Sequence, residues 1–104
     1  TTDAVRALLL TRRGRTIPDV ATAARALNMS TDQFRKRLWR QGSSYKALVL
    51  ETRMVLARNY LTSTSLGIQE IAYLLDYSNP GAFSRAFKNF YGMAPMFMRD
   101  IGED

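Results

Sequence analysis

At 104 residues the chain can form one compact unit or two very small ones. It holds neither Cys nor His, which removes thiol nucleophiles, disulfides, zinc fingers and the commonest general base, so an enzyme would have to work with carboxylates, Lys, Tyr or Ser alone. A net charge of +6 and a sequence pI near 10.2 point to nucleic acid before other partners.

A hydrophobic content of 46% is ordinary for a globular protein and argues against wholesale disorder. No run approaches about 18 apolar residues, so no membrane span is expected, and no secretory signal is visible. The first residue is Thr rather than Met, as in a piece of a longer protein. Charge is uneven: residues 1–53 hold eleven Lys/Arg and four Asp/Glu, a net +7, while residues 54–104 hold four and five, a net −1. Attraction for phosphate is therefore expected mainly from the first half.

Asp3 or Thr2 can cap a first helix running to about Arg13, with Val5, Leu8 and Leu9 on one face. Gly14 stops it. Arg12, Arg13 and Arg15 crowd its end, either to complement the helix dipole or to meet DNA phosphate, and the two roles are compatible. The chain restarts at Thr16 to Asp19, with Pro18 near a first helical position. Val20, Ala23, Ala24 and Leu27 then fall at i, i+3, i+4 and i+7, the stripe of an amphipathic helix. Asn28 occupies a turn position, and Asn tolerates the left-handed conformation. Met29 plugs the junction, Ser30 caps the next helix, Phe34 and Leu38 face inward, and Gly42 ends it. Trp39 is expected to pack between this helix and its neighbours.

Ser43 or Ser44 opens a long helix from Tyr45 to Leu61, in which Ala47, Leu50, Met54, Ala57 and Leu61 recur in steps of three and four. About 17 residues span roughly 25 Å. Thr62 to Gly67 is a polar turn. The earlier pattern then returns: Ile68, Ile71, Ala72 and Leu75 form a stripe, Asp76 turns, Tyr77 plugs, and Ser78 or Asn79 caps before Pro80. Phe83, Phe87 and Phe90 make the inner face, Gly92 stops the helix, and Pro95 to Ile101 forms a last short one with Met96 and Phe97 facing the core. An acidic tail, Gly102 to Asp104, frays. The second copy follows the first at about 49 residues, with one inserted residue before its second helix. Each copy is two short helices joined by a tight turn, a helix-turn-helix.

The run Ile68, Ile71-Ala72, Leu75, Tyr77-Ser78, Phe83-Ser84-Arg85, Phe87-Lys88, Gly92 and Pro95 resembles the second helix-turn-helix of the AraC/XylS family of bacterial transcription regulators. Arg53-Met54, Ala57-Arg58 and Leu61 are similar to that family's linker helix. Asp76 stands where the family usually has Gly, and Leu38 and Lys36 depart from its usual Phe and Arg in the first copy. The resemblance implies an all-α domain of seven helices: a first helix-turn-helix module over residues 1–44, a linker helix over 45–62 and a second module over 63–104.

A recognition helix enters the major groove and meets base edges with its outward side chains. In the first reader, Thr31 to Gln41, the side chains left outside are Asp32, Gln33, Arg35, Lys36 and Trp39 or Arg40. By the resemblance, Asp32, Arg35 and Lys36 match base-contacting positions, and Gln33 joins them. Ser30, Thr31 and Arg40, with Arg13, are assigned to phosphate. In the second reader, Asn79 to Asn89, Pro80, Gly81, Ala82 and Arg85 match groove-facing positions, with Arg85 the chief hydrogen-bonding reader unless it is tied up by Glu70. Ser78, Asn79, Ser84, Lys88 and Asn89 are better placed for phosphate, which positions rather than specifies.

The expected function is sequence-specific binding of double-stranded promoter DNA and regulation of transcription in the bacterial cytoplasm. The chain would be the C-terminal DNA-binding part of a longer ligand-responsive regulator, not an enzyme, with no cofactor and no metal. RNA polymerase and a sensing or dimerisation domain are the further partners that the resemblance implies. Successive major grooves on one face recur about every 34–36 Å, so one monomer carrying two readers on a stiff linker is expected to read two of them. A non-specific nucleic-acid binder and a helical protein-interaction module are the rival readings. Only the latter predicts no salt-dependent DNA affinity.

Overall fold

The computed structural model describes residues 1–10 and 17–102, and among these it contains seven helices and no strand. They are α1 (Thr2–Leu10), α2 (Val20–Ala26), α3 (Thr31–Arg40), α4 (Tyr45–Ser63), α5 (Ile68–Leu74), α6 (Pro80–Tyr91) and α7 (Pro95–Gly102). The chain divides into two compact units, Thr1–Thr52 and Arg53–Asp104, each with its own core. The all-α, seven-helix architecture agrees with the periodicity of the sequence. Arg12, Arg13, Gly14, Arg15 and Thr16, and the acidic end Glu103-Asp104, lie outside the described residues.

In the first unit Val5, Leu9, Ala23, Ala24, Phe34, Leu38 and Leu48 are buried together. Tyr45 stacks at a tilt on Phe34 with ring centres 5.8 Å apart, and its hydroxyl donates to the Pro18 carbonyl at 2.6 Å. Neither Thr2 nor Asp3 caps α1. The Thr1 carbonyl accepts the first helical bond, and the Thr2 amide donates to the Gln41 side chain at 3.0 Å. Pro18 precedes the cap of α2 instead of opening the helix. The cap is Asp19, whose carboxylate accepts from the Thr22 amide at 2.8 Å, a bond that holds its pKa below the usual value.

The turn between α2 and α3 follows from chirality. Asn28 adopts φ 59°, the left-handed region that costs most L-residues roughly 1–2 kcal/mol and that Asn tolerates. The Asn28 amide donates to the Arg25 carbonyl and the Met29 amide reaches back to Ala24 at 2.9 Å, closing the helix end. Met29 packs on the core, and the Ser30 hydroxyl accepts from the Gln33 amide at 3.2 Å to start α3. The second unit repeats this. Asp76 has φ 64°, the Tyr77 amide donates to Ala72 at 3.0 Å, and Tyr77 packs on the core. Here the extra residue moves the cap from Ser78 to Asn79, whose side chain accepts from the Ala82 amide at 2.8 Å with Pro80 at the first helical position.

The second core joins Met54, Ala57, Leu61, Ile71, Ala72, Leu75, Phe83, Phe87 and Met98. Rings of Tyr77, Phe83, Phe87 and Tyr91 follow one another at 5.6, 5.8 and 4.7 Å. The Arg53 guanidinium stands 5.3 Å over the Tyr77 ring, while burial pushes the Tyr77 phenol pKa up. Three side chains expected in this core are outside it: Phe90, Met96 and Phe97 are 44%, 50% and 56% exposed. On α7 the buried residues are Pro95 and Met98. Arg99 also turns inward, donating from Nε to the Leu61 carbonyl and from Nη2 to those of Thr64 and Leu66. These bonds satisfy carbonyls at and beyond the end of α4 that no helical partner reaches.

α4 runs without a break for 19 residues, about 28 Å at a rise of ~1.5 Å per residue. Ser44 is its cap, accepting from the Ala47 amide, and the helix continues to Ser63, into the segment expected as a turn. The expected stripe holds only in its later part, at Met54, Ala57 and Leu61. In the earlier part Leu48 and Thr52 are buried, and Ala47 and Leu50 are exposed.

Two stability predictions follow from these contacts. Phe83→Ala removes a fully buried ring and is expected to cost about 3–5 kcal/mol in thermal or chemical denaturation. Asn28→Val forces a β-branched residue into the left-handed region and is expected to cost at least about 1–2 kcal/mol, while Asn28→Gly stays within about 1 kcal/mol of the parent. Equal losses in the two Asn28 variants would show that its side chain, not its backbone, matters.

Candidate nucleic-acid interface

α3 buries Phe34 and Leu38 completely and leaves Asp32, Gln33, Arg35, Lys36, Arg37 and Arg40 exposed. Ser30, Asp32, Gln33, Lys36, Arg37 and Arg40 line one shallow groove. The structure thus brings together three of the expected base readers and two of the expected phosphate contacts. Thr31 is half-buried at the start of the helix. Lys36 and Asp32 approach to 4.0 Å, but both side chains are largely exposed, so the pair is weak and easily exchanged for a DNA contact. Arg35 stands apart from that groove. It lies on the other flank of α3 with Trp39 and Lys46, beside Val20 and Leu38.

Trp39 does not pack between helices as expected, because it is 79% exposed. The inner stripe of α3 is completed by Phe34 and Leu38, which leaves position 39 on the outer surface. Arg37 is the residue that sequence reasoning left out of the site. Its signal was there: Gln33, Arg37 and Arg40 fall at i, i+4 and i+7, a second polar row along the same helix.

α6 presents a sparser face. Phe83 and Phe87 are buried behind it, while Ser78, Asn79, Pro80, Gly81, Arg85, Lys88 and Asn89 are exposed and Ala82 and Ser84 half-buried. Asn79 already accepts the Ala82 amide with Oδ1, so a phosphate would be met by its Nδ2 donor. A Cβ at Gly81 would lie 3.3 Å from Arg85 Nη1 and 3.2 Å from Asn79 Oδ1. The Arg85 side chain therefore folds back one turn over Gly81, in the direction that helical side chains lean. The expected alternative partner, Glu70, accepts the Gly67 amide at 3.3 Å instead, and among the described residues no ion pair ties Arg85 down.

Paired helix-turn-helix modules with capped, cationic second helices define a DNA-binding domain. Comparison with known proteins identifies it further. A helix-turn-helix domain family matches residues 23–100. The ornithine utilization regulator of Pseudomonas aeruginosa is 40% identical over 96 residues, covering 92% of this chain and 28% of that protein. A crystal structure of a DNA-binding transcriptional dual regulator from Escherichia coli K-12 superposes with a TM-score of 0.88 at 25% identity, over 97% of this chain and 90% of that one. A regulator from Chromobacterium violaceum with an AraC-type DNA-binding domain shares the fold, with a TM-score of 0.90 at 20% identity over 99% of this chain and 92% of that one.

The chain belongs to the AraC/XylS family of helix-turn-helix transcription regulators. It is a DNA-binding, transcription-regulating domain and not an enzyme. It spans about a quarter of the length of the curated relatives it matches. Among the described residues no helix is long and apolar enough to cross a membrane.

Arg37 lines the α3 groove, where a cation can meet phosphate. Arg37→Ala is expected to weaken binding to all duplexes alike and to lower the slope of log affinity against log salt by about 1. Titration of two unrelated duplexes at several salt concentrations checks this.

Proposed function

We propose that this chain is the DNA-reading part of a longer ligand-responsive bacterial regulator and binds specific promoter duplexes through α3 and α6. On this reading residues 1–44 and 63–104 are two reading modules and residues 45–62 their linker. The observation that carries it is the split of α3 into a sealed inner row, Phe34 and Leu38, and an outer groove of polar and cationic side chains. Such a face gains nothing from the protein's own core and suits the edges and phosphates of a major groove.

Asp32, Gln33, Arg35 and Lys36 are the proposed base readers on α3, and Pro80, Gly81, Ala82 and Arg85 those on α6. Arg35 and Arg85 can each bind guanine with two donors, while Gly81 and Ala82 allow close approach to thymine methyl groups. Ser30, Thr31, Arg40, Ser78, Asn79, Ser84, Lys88 and Asn89 would hold phosphate. A cytoplasmic location, a contact with RNA polymerase and a separate sensing or dimerisation domain accompany this reading. Support for the last is the greater length of the relatives, which include a regulator of ornithine utilization and an activator of a urease operon.

Selection of bound sites from random duplexes, followed by titration over a salt series, tests the proposal. The expected result is a selected site of about two helical turns and a steep loss of affinity with salt. Affinity without sequence preference would leave only non-specific binding, and no salt-dependent affinity would favour a protein-interaction module. Arg85→Ala is expected to cost about 1–3 kcal/mol and to relax preference in one half of the selected site. Uniform weakening over all sequences would assign Arg85 to the backbone.

A further inference from the structure

We propose that the concavity on the flank of α3 beside Trp39 is a second DNA contact, which holds the sugar–phosphate backbone of the strand bordering the groove that α3 reads. This rests on the DNA-binding reading above and extends it to Trp39 and Lys46, which that reading leaves out. Trp39 is 79% exposed, more than any other large apolar side chain of the first unit among the described residues. It borders a hollow of about 470 Å³. Half-buried Val20 and Tyr45 and buried Leu38 form its floor, and exposed Arg35, Trp39 and Lys46 form its rim. Among the described residues no carboxylate lines it.

That combination selects among occupants. A purely apolar partner would leave Arg35 and Lys46 desolvated and unpaired, which is costly. A DNA strand alternates anionic phosphates with apolar deoxyribose faces, so it offers partners to both the cations and the indole. Lys46 pairs with phosphate and the flat ring of Trp39 lies against sugar, while Arg35 at the same rim reaches the adjoining base edge. The location agrees. Arg35 and Trp39 are four residues apart on the reading helix itself, so the hollow continues the α3 face sideways. The first unit, residues 1–52, also carries a net +6, from ten Lys/Arg and four Asp/Glu, which draws the same polyanion to it.

Trp39 is the chain's one tryptophan, so intrinsic indole emission reports on this position alone. The experiment titrates the unmodified chain with duplexes recovered from random-sequence selection. Emission and acrylamide quenching are followed together, and binding is measured in parallel by the anisotropy of labelled duplex. The proposal expects emission to change in step with binding and acrylamide access to fall several-fold in the complex. Trp39→Ala, which removes no core contact, should weaken every duplex alike, by about tenfold. If the duplex binds and acrylamide reaches Trp39 as freely as before, this contact is refuted while the DNA-binding reading stands. If no duplex binds at all, both fail together. An emission change on concentrating the protein without DNA would mean that a second copy covers the hollow, and would also overturn the proposal.

Discussion

One left-handed residue in each unit governs the presentation of a reading helix. An L-residue at φ near 60° is disfavoured, so the chain adopts it only where the surroundings fix it. At Asn28 and Asp76 they do. The amide of the following residue donates five residues back, to Ala24 and to Ala72, and that same residue, Met29 or Tyr77, drops its side chain onto the core. A cap then starts the second helix. The angle between the two helices is thus set by four or five residues of backbone and one plugging side chain. Among the described residues of the two outer faces, only the caps Ser30 and Asn79 take part in fixing it. The rest of each face is free to be chosen for its partner, which explains how one scaffold can carry different reading surfaces.

The two reading faces differ in kind. α3 offers a groove of polar and charged groups, with a weak Lys36–Asp32 pair that DNA can displace. α6 offers small residues and two long cations, Lys88 and Arg85, the latter lying over Gly81. A methyl at position 81 would stand within 3.3 Å of Nη1, so glycine here is tied to where the guanidinium rests as well as to how near the backbone can come to a base. The face of α3 is thus the more charged and hydrogen-bonding of the two, and that of α6 the smaller in its side chains. The charge imbalance along the chain has the same direction.

Both modules were legible because their signals are local: stripes at i, i+3, i+4 and i+7, a turn residue that accepts positive φ, and a cap. Signals that need knowledge of neighbours misled. The spacing in α4 predicts one apolar stripe, but its first part serves the core of Leu48 and its later part the core of Met54, so no single stripe describes it. Phe90 has the spacing of an inner residue after Phe83 and Phe87, but those two rings already close the face of α6. Trp39 is expected between helices, but Phe34 and Leu38 complete the inner row of α3 and leave it at the surface. Arg37 lies on the groove because it shares the polar row of Gln33 and Arg40 at i, i+4 and i+7. The role of Ser78 passed to Asn79 because one extra residue shifts the start of the helix, an offset that alignment of the two copies makes visible.

α7 shows why composition alone could not orient the last helix. Counting apolar side chains favours Met96 and Phe97 as its inner face. The structure turns that helix so that Pro95, Met98 and Arg99 face inward. A polar contribution stands against that count. The loop after α4 leaves the carbonyls of Leu61, Thr64 and Leu66 without helical partners, the first and last in part-buried surroundings where an unmade hydrogen bond is costly. One guanidinium with five donors in a fixed fork can meet all three carbonyls, which neither Met nor Phe can do. Facing Arg99 inward leaves Phe97 and Ile101 outside and joins α7 to the loop that leads into α5. The α7 helix therefore serves the second reader indirectly, by holding the entry to the helix-turn-helix whose second helix carries Arg85.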